Sequence, residues 1–108
     1  MAAQRKSEQN GDGPMKLIQG ALEEYGKAHP KAKIDLYRHS SVSVRVRIVD
    51  ISFEGKSRTQ REDEIWPLLE RLPEEVVAEL SLLLLLTPKE ARKSFANVEF
   101  DDPVPSLL

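Results

Sequence analysis

The most informative absence in this chain of 108 residues is cysteine, of which there is none. Without cysteine the protein has no disulfide, no thiol nucleophile and no thiolate ligand for zinc or an iron–sulfur cluster. The absence also fits a reducing compartment. Histidine is nearly as scarce, with only His29 and His39. Neither of them has a serine or a carboxylate at a spacing typical of a catalytic site. The sequence therefore indicates a protein that is not an enzyme, with no metal and no other cofactor.

Long apolar runs are also missing. The longest, residues 82–86, is far shorter than the roughly 20 residues that a membrane-spanning helix needs. Residues 1–13 are polar and lack the apolar core of a secretory signal. We therefore expect a cytoplasmic protein without a membrane segment.

Neither sign of charge dominates, because the formal net charge is −2. This value disfavours bulk attraction to nucleic acid or anionic lipid, which only a local basic patch could restore. A hydrophobic content of 40% is typical of a globular domain, and the length allows one core. We predict a flexible tail over residues 1–13, a single domain over 14–98 and a C-terminal tail over 99–108.

Hydrophobic spacing predicts the elements of that domain. Apolar residues recur on one helical face over 14–28, with Pro14 at a first helical position. Residues 33–38 and 42–48 alternate as two strands of a hairpin, with a break at residues 39–41. A run of leucines over 80–86 predicts a third strand.

Capping residues mark the remaining helices. Ser57 and Gln60 have the spacing of a capping box, and Thr87 with Glu90 repeats it after the third strand. A second helix therefore begins after Ser57, with a kink or a restart at Pro67. A short helical turn follows Pro73, and the last helix extends to about residue 97.

The resulting order is α-β-β-α-α-β-α. A β-α-α-β crossover makes the third strand parallel to its neighbour. We predict an α+β fold, a two-layer sandwich with a three-stranded mixed sheet and helices on one face.

Short motifs follow one another along this frame: Phe53-Glu54-Gly55-Lys56-Ser57, Arg61, Ile65-Trp66, Leu69, Leu80-Ser81 and Thr87-Pro88-Lys89-Glu90. Over residues 14 to about 92 the chain resembles the BolA-like family, whose fold is related to the type II KH domain. That family has a Phe-x-Gly-x-Ser turn, an Arg-His pair on the helix and a Thr-Pro-Glu-Glu segment at its end.

The chain differs from that family at the positions of its metal-cluster ligands. The family ligates an iron–sulfur cluster shared with monothiol glutaredoxins, through a histidine before the last strand that is Glu79 here. Glu62 stands in place of the helix histidine, and the loop that brings a second ligand is only residues 39–41. Carboxylates suit such a cluster less well than imidazole or thiolate. The glutaredoxin partnership is therefore not expected of this chain.

A basic set of residues is the candidate binding surface. Backbone N–H groups at a helix start, together with nearby cations, favour phosphate or carboxylate. The alternative is a salt-bridged face with Asp35 and Glu54 as partners. The chain contains no Gly-x-x-Gly, the loop with which KH domains clamp nucleotides. The candidates are Arg45 and Arg47 on the open sheet face, and Lys56, Ser57, Arg58 and Arg61 at the helix start.

The leucine-rich strand gives a further expectation. If Leu82, Leu84 and Leu86 face the helices, Leu83 and Leu85 point to the open sheet face. Two exposed leucines invite association, so either the C-terminal tail, a partner or a second copy covers them. Of these we favour the tail.

Taken together, these patterns favour a non-enzymatic binding module with a protein partner, either a monomer or a weak homodimer. The alternative is a weak RNA- or DNA-binding module that uses the local basic patch.

Overall fold

The helices and strands follow one another in the predicted order. A computed structural model of the protein describes residues 12–93, so the predicted tails lie outside the described residues, apart from Asp12 and Gly13. The elements are α1 (Gly13–Ala28), β1 (Lys33–Ser40), β2 (Ser43–Val49), a 3-10 turn (Ile51–Phe53), α2 (Arg58–Leu69), α3 (Glu74–Val77), β3 (Leu80–Leu86) and α4 (Pro88–Ala91). The predicted α+β class is confirmed.

The sheet has the order β1-β2-β3, so β2 is its central strand. β1 and β2 are antiparallel, whereas β2 and β3 are parallel, as predicted. Because β2 has neighbours on both sides, its helix-facing residues Val44, Val46 and Ile48 are fully buried. α1 packs on β1 and α2, and α2 packs against β3, which forms the second layer.

Local capping fixes where the helices start. The Ser57–Gln60 and Thr87–Glu90 capping boxes are both present. α1 begins one residue earlier than predicted, because the Asp12 carboxylate accepts a hydrogen bond from the backbone N–H of Met15. α2 continues through Pro67, so of the two predicted alternatives the restart is wrong and the kink stays a prediction.

Two elements end at residues other than those predicted. α4 ends at Ala91, well before the predicted residue 97. β1 extends to Ser40, so the hairpin turn is residues 41–42 instead of the predicted break at 39–41.

One irregularity in β3 reverses the predicted orientation of the leucines. Val44 pairs with Leu80, but the next residue, Arg45, pairs with Leu82, so Ser81 is an extra residue in β3. Side chains alternate along a strand, and one extra residue exchanges the two faces beyond it. Leu83 and Leu85 therefore face the helices and belong to or pack against the core.

The expectation that Leu83 and Leu85 point to the open sheet face is therefore wrong. Leu82, Leu84 and Leu86 instead share their face with Arg45 and the other odd-numbered residues of β2. In this orientation Leu83 and Leu85 do not require a tail, a partner or a second copy to cover them. The tail proposed as that cover lies outside the described residues.

A buried hydrogen bond joins α1 to the end of β2. The Tyr25 hydroxyl donates to the Asp50 carboxylate at 2.6 Å. The backbone N–H and hydroxyl of Ser52 donate to the same carboxylate. Burial alone would raise the pKa of Asp50, but the hydrogen bonds from Tyr25 and Ser52 outweigh it, so the pKa lies below its usual value. The carboxylate is therefore charged inside the fold, and three donors stabilise it.

The orientation of β3 is tested by a matched pair of substitutions. Leu85→Ala removes a core side chain and should lower the free energy of unfolding by about 2–5 kcal/mol, through lost burial and a cavity. Leu84→Ala, one residue away on the other face, should cost less than half as much. Urea unfolding of both variants measures the difference, and a larger loss for Leu84→Ala would contradict this register of β3.

Removing the Tyr25 hydroxyl should destabilise the protein in a pH-dependent way. Tyr25→Phe takes one donor from a buried carboxylate, which should cost about 1–3 kcal/mol at pH 7. Because the folded-state pKa of Asp50 is lowered, its contribution is present above its unfolded pKa and is lost as pH falls through the folded value. The stability difference between wild type and variant should therefore shrink in acid. Urea unfolding at pH 7 and pH 3 checks this, and a difference that stays constant would contradict it.

Candidate binding groove beside strand β3

The predicted basic surface is divided between two parts of the molecule. Arg45 and Arg47 lie on the sheet face opposite the helices. Arg47 is only 3% exposed and forms an ion pair with Asp35 across the β1–β2 ladder at 2.7 Å. Arg45 donates to the Tyr37 hydroxyl at 3.2 Å. Arg47 therefore matches the salt-bridged alternative, in which Asp35 is a predicted partner.

The other half of the predicted surface is at the start of α2. Gly55 has a φ of +80°, a value that favours glycine, and it turns the chain into this helix. Lys56 forms an ion pair with Glu64, and Ser57 serves as the N-cap. Arg58 is 83% exposed and approaches Glu62 only to 3.7 Å. Arg58 is therefore weakly held and accessible to a ligand.

Arg61 has a structural role that its helix position did not indicate. Its guanidinium donates to Glu90 at 2.6 Å and to the backbone carbonyl of Leu85 at 2.9 Å. It also lies 5.7 Å from the centre of the Phe53 ring. The side chain is 11% exposed, so this cation joins α2, β3 and α4 and is not accessible like Arg58.

A groove runs between the side of α2 and β3. Its larger part has a volume of about 570 Å³ and its smaller part about 270 Å³. Both parts share Arg58, Glu62 and Leu83, so they are continuous. The larger part is also lined by Lys56, Arg61, Leu84, Leu85, Leu86, Glu90 and Lys93, and the smaller by Trp66, Leu80, Ser81 and Leu82.

The groove brings together residues that the sequence did not group. Arg58, Glu62 and Trp66 recur at intervals of four, which places them on one side of a helix. That spacing is a usable signal for one wall of the groove. The other wall is β3, and a run of identical leucines contains no signal for its orientation. Lys93 also lines the groove, although it was predicted only as part of the last helix.

A charged cluster surrounds Glu79, the residue that the resemblance to the BolA-like family sets against that family's ligand histidine. Glu79 accepts a hydrogen bond from Arg38 at 2.6 Å, and Arg38 also pairs with Asp12. The hydrogen bond from Arg38 lowers the pKa of Asp12. Contact with Asp12 and Glu79 in turn raises the pKa of Arg38. The cluster ties the start of α1 and the end of α3 to β1.

Two other expectations concern metals and membranes. Within residues 12–93, no group of three or more His, Asp and Glu side chains is arranged to hold a metal ion. In the same part of the chain, no helix has the length and apolar character needed to cross a membrane.

The ion pair between Arg61 and Glu90 should be visible in a titration. Hydrogen bonds from Arg61 and from the backbone N–H of Thr87 lower the pKa of Glu90 to about 2. The stabilisation is present above the unfolded pKa and is lost as pH falls toward 2. A carboxyl NMR titration should place the midpoint near 2. Arg61→Gln should raise it, whereas Arg58→Gln should leave it unchanged, and equal responses would contradict the pairing.

Comparisons with known proteins add little to this geometry. No family model matches the chain, and no curated protein matches it. The solution structure of the XC975 protein is similar, with 22% sequence identity over 77% of this chain and 99% of that chain and a TM-score of 0.48. A likeness of this strength indicates nothing about what the chain binds, and the resemblance to the BolA-like family stays a prediction.

Proposed function

We propose that this chain is a small non-enzymatic protein-interaction module, a cytoplasmic regulatory adaptor on a BolA-like scaffold. The observation that carries the proposal is the groove beside β3. It combines apolar side chains, accessible cations and the edge of a sheet, and these are the features with which small domains hold segments of other proteins. Ligand grooves of this size occur commonly between secondary-structure elements.

The pairing of the basic residues supports a protein partner over nucleic acid. Arg47 and Arg61 are engaged by Asp35 and Glu90, and both arginines are largely buried. A phosphate would have to displace these carboxylates before it met either guanidinium. The alternative of a weak RNA- or DNA-binding module therefore has fewer accessible cations than the sequence alone implies.

The test is a tagged pull-down with the full chain from native lysate, with and without nuclease. We expect a defined protein that is retained after nuclease treatment. The captured protein is then purified and titrated at 50 and 200 mM salt, where its affinity should change by only a few fold. Phosphate contacts would instead weaken binding by about 10³-fold or more for six or more contacts over this range.

The nucleic-acid alternative gives a different result in the same experiment. If nucleic acid is the retained species, and if its binding falls steeply with salt, the protein-interaction proposal is contradicted. Arg58→Glu should then reduce retention, because this side chain is the most exposed of the candidate cations that form an ion pair. Arg71→Glu is the matched control, since Arg71 is also exposed but pairs with Glu24, outside the groove.

A further inference from the structure

We infer that the groove binds an extended peptide segment, which joins the sheet beside β3 as a fourth strand and carries acidic residues at one end and apolar residues at the other. This inference rests on the proposed function and deepens it, because it names the site and the class of partner. It draws on three observations: the edge of β3 that pairs with no other strand of residues 12–93, the unequal ends of the groove and its charge.

The first observation is the orientation of the backbone in β3. The carbonyl of Leu86 accepts a hydrogen bond from the backbone N–H of Asp50, on the side of β2. The carbonyl of Leu85 points the other way, to Arg61. Backbone polar groups alternate in direction along a strand, so Leu83 also directs its N–H and C=O toward the groove. Within residues 12–93, β3 pairs with β2 alone, which leaves this edge open to a further strand.

The position of Arg61 limits where the added strand can pair. Its guanidinium already donates to the carbonyl of Leu85. Among residues 12–93, this leaves the N–H of Leu85 and both polar groups of Leu83 for a ligand. Strand addition supplies affinity through such main-chain hydrogen bonds, and the alternate side chains of the ligand supply specificity. Alternate side chains of the peptide would enter the groove between α2 and β3.

The second observation is that the two ends of the groove differ. Lys93, which is exposed, lines only the part beside the end of β3, together with the ion-paired residues Lys56, Arg61 and Glu90. Trp66 lines only the part beside its beginning, together with Leu80 and Leu82. One end therefore suits carboxylates and the other suits apolar or aromatic side chains.

The third observation is the excess of positive charge. Four cations line the larger part of the groove against the carboxylates of Glu62 and Glu90, but Arg61 is held by Glu90 and Lys56 by Glu64. Arg58 and Lys93 are exposed, so they are the cations that an acidic ligand meets. An acidic segment complements this surface. A second copy of the chain, pairing through its own β3, does not, because Leu80–Leu86 contains no acidic residue. The charge therefore favours a partner peptide over a homodimer through this edge.

The test uses the full chain and a synthetic octapeptide, acetyl-Phe-Val-Ser-Val-Glu-Val-Asp-Val-amide, together with the same peptide in reversed order. Amide NMR follows binding and hydrogen exchange. In the free protein the amides of Leu83 and Leu85 should exchange faster than that of Leu84, which faces β2. One of the two peptides should slow exchange at Leu83 and Leu85 by about tenfold or more at saturation.

Control peptides separate strand addition from charge attraction. N-methylation of alternate backbone nitrogens should abolish binding, because it removes the donor to the Leu83 carbonyl and places methyl groups against the edge of β3. Lysine in place of both acidic residues should weaken binding by about tenfold or more. Arg58→Glu in the protein should lower the affinity for the acidic peptide by about tenfold. The matched control Arg71→Glu should keep this affinity within about twofold of the wild-type value.

Several outcomes would overturn the inference. Slow exchange of the Leu83 and Leu85 amides in the free monomer would show that the chain itself pairs with this edge. If sedimentation instead shows a dimer in which these amides exchange slowly, the edge belongs to a second copy. Equal binding of the N-methylated peptide, or preferential binding of an oligouridine, would exclude strand addition by a peptide. If a captured protein binds with weak salt dependence while both octapeptides fail, the proposed function stands and this groove inference falls.

Discussion

The extra residue at Ser81 determines the arrangement of β3, on which both the core and the groove depend. Beyond it, Leu83 and Leu85 turn toward α1 and α2, and Leu82 and Leu84 turn to the opposite face. The hydroxyls of Ser81 and Ser43 hydrogen-bond to each other at this point, and Ser81 also contacts the carbonyl of Val44. These contacts satisfy polar groups where the regular ladder is interrupted, so the bulge is a defined feature of the sheet.

The arginines of this fold divide by burial into those that hold elements together and those that a ligand can reach. Arg47 and Arg61 are largely buried, and taking a guanidinium out of water is costly unless carboxylates and carbonyls surround it. Asp35 and Glu90 supply that environment, which makes these cations poorly available to any partner. Arg58 keeps its hydration because it is exposed, and it can exchange Glu62 for another carboxylate at little cost. A count of basic residues therefore overstates the binding surface.

The sequence predicts those parts of the structure that short-range patterns determine. The central strand β2 and the two capping boxes, at Ser57 and Thr87, follow from residues within a few positions of one another, and the structure contains all three. β3 is different, because a run of leucines has no period from which a bulge could be recognised. The Asp12–Arg38–Glu79 cluster joins residues 26 and 41 positions apart, and no local pattern encodes such contacts. The same limit applies to the groove, since only its α2 wall has a recognisable spacing.

The two ends of the groove differ, and this difference determines which way an extended ligand runs along β3. Backbone pairing alone would not determine that direction. Main-chain hydrogen bonds to Leu83 and Leu85 accept almost any extended sequence, so they supply affinity without selectivity. Exposed Lys93 beside the end of β3 and Trp66 beside its beginning distinguish the two ends of a segment. Glu62 lies in both parts and would repel an acidic side chain placed at the middle of the groove. Selectivity would then depend on where acidic residues fall along the segment more than on how many it has.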